Sequence, residues 1–194
     1  MLGVSAAVCV ILLNCNAFAF DTGHHFDLTR DALLEAGFGD EAIKSAQIVN
    51  WLTDYYSEQP FVKLRDQLKH LHFDNLGDYD AVARYWGRLT ANTRTAIAQA
   101  AIEGKTLEVI GLLGISLHAV QDFYSHSNWA ETFPKNAGDA FRSETWFSTL
   151  TSAPIVGLRT GIYPSDPAKP ESSHGDYDSG LNHDSYGRPN WQES

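Results

Sequence analysis

His118, Asp122 and His126 stand at i, i+4 and i+8 of one stretch, so on a helix all three project from an arc of roughly 80°. Imidazole nitrogens and a carboxylate are the donor set of a divalent cation such as zinc. Buried without partners, such groups cost several kcal/mol, and a cation removes that cost by binding the ionised carboxylate and the neutral rings directly. Each step of four residues rises about 6 Å, so His118 and His126 lie roughly 12 Å apart along the axis. Both cannot reach one ion at bond lengths of ~2.1 Å. The spacing therefore asks for two or more metals with Asp122 between them, able to bridge. A helix with a hydrogen-bonded polar stripe and no metal is the competing reading.

Two further stretches repeat the mixture. Gly23-His24-His25 opens the first helical segment, and Leu71-His72-Phe73-Asp74 ends the third, with Asp54 on the second. Taken singly these are ordinary surface residues; together with the central helix they form a set that metals explain economically. His70, His174 and His183 complete the eight histidines.

Thiols are excluded from any such site in the exported chain. Leu2 to Leu13 is an apolar, uncharged run, and Ala17-Phe18-Ala19 has the small-x-small form of a signal peptidase site. The expectation is a cleaved export signal over residues 1–19, giving a secreted or periplasmic protein. Both cysteines, Cys9 and Cys15, fall inside it. A metal must then be held by His, Asp, Glu or the new chain terminus.

The elements that must position these residues read as helices. Asp27 to Ala36 is a short helix closed by Gly37, Asp40 begins a second running toward Tyr56, and Phe61 to Leu71 is amphipathic. Tyr79 to Ile102 reads as a long helix bounded by Gly104. Leu107 to about Asn128 follows, apolar around most of its circumference as far as Leu117, and so belongs at the centre of the bundle. No alternating run argues for a sheet. The fold class is all-α, with residues 20–151 as a helical metal-binding domain. From Ser152 the chain is rich in Pro and Gly, so residues 152–194 are expected to form a loop-rich extension of the same domain, truncated if a final helix belongs beyond Ser194. The net charge of −10, from 14 basic and 24 acidic residues, argues against wide contact with nucleic acid phosphates or anionic lipid headgroups unless cations neutralise it locally.

With these residues in view, the chain resembles the superfamily of zinc-dependent phospholipases C and single-strand-specific nucleases, and within it the Het-C-type branch named for a fungal heterokaryon-incompatibility protein. The string LGISLHAVQDFYSHSNWAE, Leu113 to Glu131, is similar both to the superfamily's His-x3-Asp helix and to the SHSN signature of Het-C-like proteins. The resemblance implies an α-helical bundle around as many as three zinc ions, one of them chelated by the amine and carbonyl of the mature N-terminal residue. Carried over residue by residue, it implies Phe20 as that terminus after cleavage behind Ala19, and His25, Asp54, His72, His118 and Asp122 as ligands. The Trp51 to Tyr56 segment matches the one whose aspartate bridges two zincs. The phospholipase and nuclease branches place their next histidine six residues after the aspartate, following a proline. Here that position is Asn128, and His126, which stands where the Het-C-like string has its histidine, is the ligand the resemblance implies. For the last ligand pair two readings stay open: His174 and Asp178, which have the His-x3-Asp spacing, or a helix beyond Ser194.

The reaction implied is phosphodiester hydrolysis by metal-activated water, with Asp54 as the carboxylate that orients or deprotonates the water. The expected substrate is a phospholipid headgroup ester or another phosphodiester, with peripheral membrane contact; nucleic acid fits less well. Tyr55, Tyr56, Phe73, Phe123, Tyr124 and Trp129 either line a cleft or are core aromatics. A secreted single-strand nuclease and a non-catalytic Het-C-like recognition module are the alternatives.

Overall fold

The computed structural model describes residues 22–58, 67–68, 70–129, 155–163 and 168. Among them the chain forms an all-α bundle of four α-helices: α1 (Thr22–Glu35), α2 (Asp40–Glu58), α3 (Tyr79–Ile102) and α4 (Thr106–His126), with a 3₁₀ turn at His70–His72. α4 is the central element, packing against α1, α2, α3 and the 3₁₀ turn. Phe61 and Leu64, expected on an amphipathic segment, lie outside the described residues.

α1 starts at Thr22, earlier than Asp27, because its buried stripe reaches back to His25. His25, Thr29 and Leu33 recur at one-turn spacing and all face inward. Its end is the expected one. Gly37, at φ +82°, lets the Phe38 amide return to the Leu33 carbonyl at 2.9 Å. On α2 the buried positions are Ile43, Ala46, Gln47, Asn50, Thr53, Asp54 and Ser57. That stripe is apolar at its start and polar for the rest, so α2 delivers an apolar patch to one end of the bundle and donors and acceptors to its middle. α3 is capped by Asp78, whose carboxylate accepts from the Ala81 amide at 2.8 Å.

Two apolar clusters flank the polar middle. Leu33, Ile43 and Ala46, with Phe38, Ile110 and Leu117, close one side. Phe73, Val82, Ala119, Phe123, Trp129 and Leu158 form the other, where α4 meets α3 and the 3₁₀ turn. Phe73, Phe123 and Trp129 are therefore core residues rather than cleft lining, with the Phe73 and Phe123 rings 5.5 Å apart edge to face. Tyr124 is half-buried beside them; Trp51 and Tyr55 stack at 5.3 Å on α2, and Tyr56 is exposed.

α2 and α4 approach closely at Gly114. A Cβ there would sit 2.5 Å from the Ala46 carbonyl oxygen and 3.2 Å from the Asn50 amide nitrogen. Only a glycine allows this contact, one turn before His118.

The described part of the Gly/Pro-rich region carries no helix and is tied down by backbone bonds. Ser127 and Thr160 form an antiparallel bridge, the Gly161 amide donates to the His126 carbonyl at 2.8 Å, and the Thr160 amide donates to the Leu76 carbonyl at 2.9 Å. Residues 155–163 thus join the end of α4 to the chain that follows the 3₁₀ turn.

Candidate metal centre

Three elements bring four ligand atoms together in the polar middle. Asp54 comes from α2, His72 from the 3₁₀ turn, and His118 and Asp122 from successive turns of α4; their ligand atoms all lie within 4.8 Å of one another. The i, i+4 pair faces one way because both belong to the same helical row. His118 Nε2 and His72 Nδ1 stand 3.0 Å and 2.8 Å from Asp122 Oδ2. The same two nitrogens are 3.5 Å and 3.6 Å from Asp54 Oδ1, and 3.4 Å from each other. Ligand atoms arranged tetrahedrally at 2.0–2.2 Å from one centre are separated by roughly 3.3–3.6 Å. The five separations that involve an imidazole, 2.8–3.6 Å, come near that requirement, and the whole set spans no more than 4.8 Å.

The local hydrogen bonds aim acceptors into this space. Ser57 Oγ donates to the Asp54 carbonyl at 2.8 Å, so its oxygen accepts from Nε2–H of His72 at 3.0 Å. A neutral His72 then carries its lone pair on Nδ1, facing Asp122. His72 is held from behind by His126, whose Nδ1 donates to the His72 carbonyl at 2.9 Å. Phe73, directly after it, has φ +55°, an unusual value for a bulky side chain and one that marks local backbone strain. Two contacts oppose that strain: the His126 bond and the burial of the Phe73 ring.

The charge states suit a cation. Burial pushes the His118 pKa down to about 4; the Asp122 carboxylate opposes this, and His25 and His72 add to it. At Asp122 burial opposes ionisation, but the imidazoles of His118, His126 and His72 outweigh it and hold the carboxyl well below the usual carboxylate range. At His72 burial again disfavours the charge, yet the contact with Asp122 and the charges of Asp122 and Asp54 raise its pKa above 6.5. These directions favour an ionised Asp122, a neutral His118 and a His72 that holds its proton more tightly than a free imidazole does. A divalent cation satisfies all three at once, displacing that proton. The donor set of two imidazoles and two carboxylates therefore fits a metal ion.

Other candidate residues fall in different places. His25, on α1, is buried, with Nε2 3.3 Å from Asp122 Oδ1, the oxygen that does not face His72 and His118. Asp122 is thus shared between two sides, as a bridging carboxylate would be. His126 is fully buried but is not one of the four converging residues; its Nδ1 is spent on the His72 backbone. The helical rise that separates it from His118 carries it past them. His70 is exposed, and its carbonyl accepts from the Tyr85 hydroxyl. Phe20, His174, Asp178 and His183, and the side chain of His24, lie outside the described residues.

Four residues escaped the reading of the sequence: Thr29, Asn50, Ser57 and Gln121, all buried and polar. Each sits one helical turn from a ligand candidate on its own helix, a spacing that would have flagged them.

Neither a curated protein nor a solved structure matches the chain. The model of the VWA7 N-terminal domain family matches residues 28–140, a span that contains Asp54, His72, His118 and Asp122. Covering more than half of the 194 residues, that match shows that the chain belongs to the VWA7 N-terminal domain family.

Proposed function

We propose that this protein is a secreted, zinc-dependent phosphodiester hydrolase of the phospholipase C type. The observation that carries the reading is the convergence of Asp54, His72, His118 and Asp122 in one buried cluster. Two imidazoles with two carboxylates suit zinc, and neither cysteine, Cys9 or Cys15, is among the four converging residues.

When bound, such an ion supplies Lewis-acid polarisation of a phosphoryl oxygen and of the attacking water. The chain's own residues do the rest. Neutral His118 and ionised Asp122 would hold the ion without needing to change protonation state, and Ser57 and His126 keep His72 in place. Asp54 Oδ1 is 3.5–3.6 Å from both imidazoles, and we assign its carboxylate to orient the water and accept its proton. Cleavage behind Ala19 would add the Phe20 amine as a further ligand. The net charge of −10 favours a compact headgroup phosphodiester over a long polyanion. No helix among the described residues is long and apolar enough to cross a membrane, so contact with lipid in this reading is peripheral.

A second reading draws on burial. The four residues are at most 5% exposed, and structural zinc sites are closed whereas catalytic ones keep an open position. A structural metal in a Het-C-like recognition module would look like this.

The test uses chain whose N-terminus has been mapped to Phe20, with its zinc content measured. It is then assayed for headgroup release from phospholipid vesicles and for digestion of single-stranded DNA and RNA. Zinc with headgroup release supports the proposal, and zinc with nucleic acid digestion replaces it by a nuclease. Tightly bound zinc with neither activity selects the structural reading. A chain that takes up no zinc removes both.

A further inference from the structure

Behind His25 and His118 lies a buried set of amides that belongs to no ligand. Gln121 Nε2 points to the backbone carbonyl of His25 at 3.5 Å and donates to Thr29 Oγ1 at 3.1 Å. A carbonyl can only accept, so it fixes which end of the Gln121 amide is which. Gln121 Oε1 must then face the other way, where His25 Nδ1 lies at 2.7 Å and Asn50 Nδ2 at 2.9 Å. Both of those atoms have to donate. Asn50 Nδ2 also donates to Thr29 Oγ1 at 2.9 Å, which leaves Asn50 Oδ1 to face His118 Nδ1 at 3.3 Å. An amide oxygen accepts only, so His118 Nδ1 must carry a hydrogen as well.

We propose that Gln121 and Asn50 form an amide relay, anchored on the His25 carbonyl, that locks both His25 and His118 as Nδ1–H tautomers. Their Nε2 lone pairs are thereby presented to Asp122, that of His118 to Oδ2 and that of His25 to Oδ1. The relay's role in cation binding rests on the metal reading above.

The geometry makes the consequence specific. His118 Nε2 faces Asp122 Oδ2 at 3.0 Å, and His25 Nε2 faces Asp122 Oδ1 at 3.3 Å. With the ring hydrogens committed to the relay, each contact sets an acceptor against an acceptor, an arrangement that a cation relieves. Gln121 and Asn50 touch no ion in this scheme. They are positioning residues, acting through the two rings, and loss of such outer partners typically costs 10–100-fold in metal affinity.

The experiment is nitrogen-15 NMR of the metal-free full chain with labelled histidine, which distinguishes Nδ1–H from Nε2–H rings, followed by zinc titration against a competing chelator. The relay requires Nδ1–H signals for both His25 and His118 in the unmodified protein. Gln121→Met, which keeps length but removes the amide, should mix the His25 tautomers and weaken zinc by about 10–100-fold. Gln121→Glu, which keeps an acceptor for His25 and Asn50 but loses the donor to the His25 carbonyl and Thr29, should keep the His25 tautomer and recover only part of the affinity. An Nε2–H signal on either ring in the unmodified chain overturns the relay, as does a Gln121→Met variant with unaltered tautomers. Correct tautomers in a chain that binds no zinc would support the relay and overturn the metal reading instead.

Discussion

Asp122 presents one carboxylate oxygen to His72, at 2.8 Å, and the other to His25, at 3.3 Å, so a single side chain on α4 ties the 3₁₀ turn to α1. Remove the charge on that carboxylate and three imidazoles lose their common partner. The metal affinity and the pH response of the centre both follow from this arrangement.

Zinc affinity should depend on pH through His72. Its pKa is raised above 6.5, so the folded, metal-free chain holds a proton there more tightly than a free imidazole does, and the ion must displace it. Affinity therefore rises with pH up to the raised value and levels beyond it. The linkage to stability has the opposite sense. The metal-free chain has the full benefit of protonated His72 below 6.5 and loses it as pH climbs through the folded pKa. Chelator competition and thermal melts across neutral to alkaline pH measure both; a zinc affinity that is flat with pH would contradict the assignment.

His118→Ala should abolish tight zinc binding. Losing an outer partner alone costs about 10–100-fold, so loss of a ligand should exceed ~100-fold. If the proposed function holds, hydrolysis disappears with the metal. Retention of both would leave only a polar stripe in the core.

Glycine positions on α4 should respond in opposite directions. Gly114→Ala drives a methyl into the Ala46 carbonyl 2.5 Å away, and we expect a loss of about 1–3 kcal/mol together with weaker zinc binding. The second effect arises because the contact sets the spacing between α2, which carries Asp54, and α4. Gly111→Ala meets nothing within 4 Å and should gain up to ~1 kcal/mol from helix propensity, with zinc binding unchanged. Urea unfolding of the two variants side by side checks the signs.

Asp78→Ala removes the cap of α3 and should cost about 0.5–2 kcal/mol in the same unfolding experiment. Zinc affinity should stay as it was, because α3 supplies none of the four converging residues. A parallel loss of zinc would mean that the bundle moves as a whole when α3 frays.

Much of this was legible from residue spacing, because helical periodicity is a local property. His118 and Asp122 face the same way for any sequence that is helical there, and Tyr79–Ile102 has the bounds its composition suggested. Local reasoning also separated His126 from His118 by its helical rise. It did not foresee that His126 would hold the His72 backbone, because that bond joins two elements.

What the sequence by itself determined is the all-α class, the bounds of α3 and the approximate extents of α2 and α4, and the set of residue types able to bind a cation. Only the tertiary structure decided which of them meet. The Gly114 contact brings α2 against α4, placing Asp54 beside His118, and the 3₁₀ turn swings His72 onto Asp122. It likewise turned Phe73, Phe123 and Trp129 into core, and recruited Asn50 and Gln121 behind the histidines. The reason is physical: spacing along one helix is set by backbone hydrogen bonds, whereas contacts between helices depend on packing and on pairing every buried polar atom.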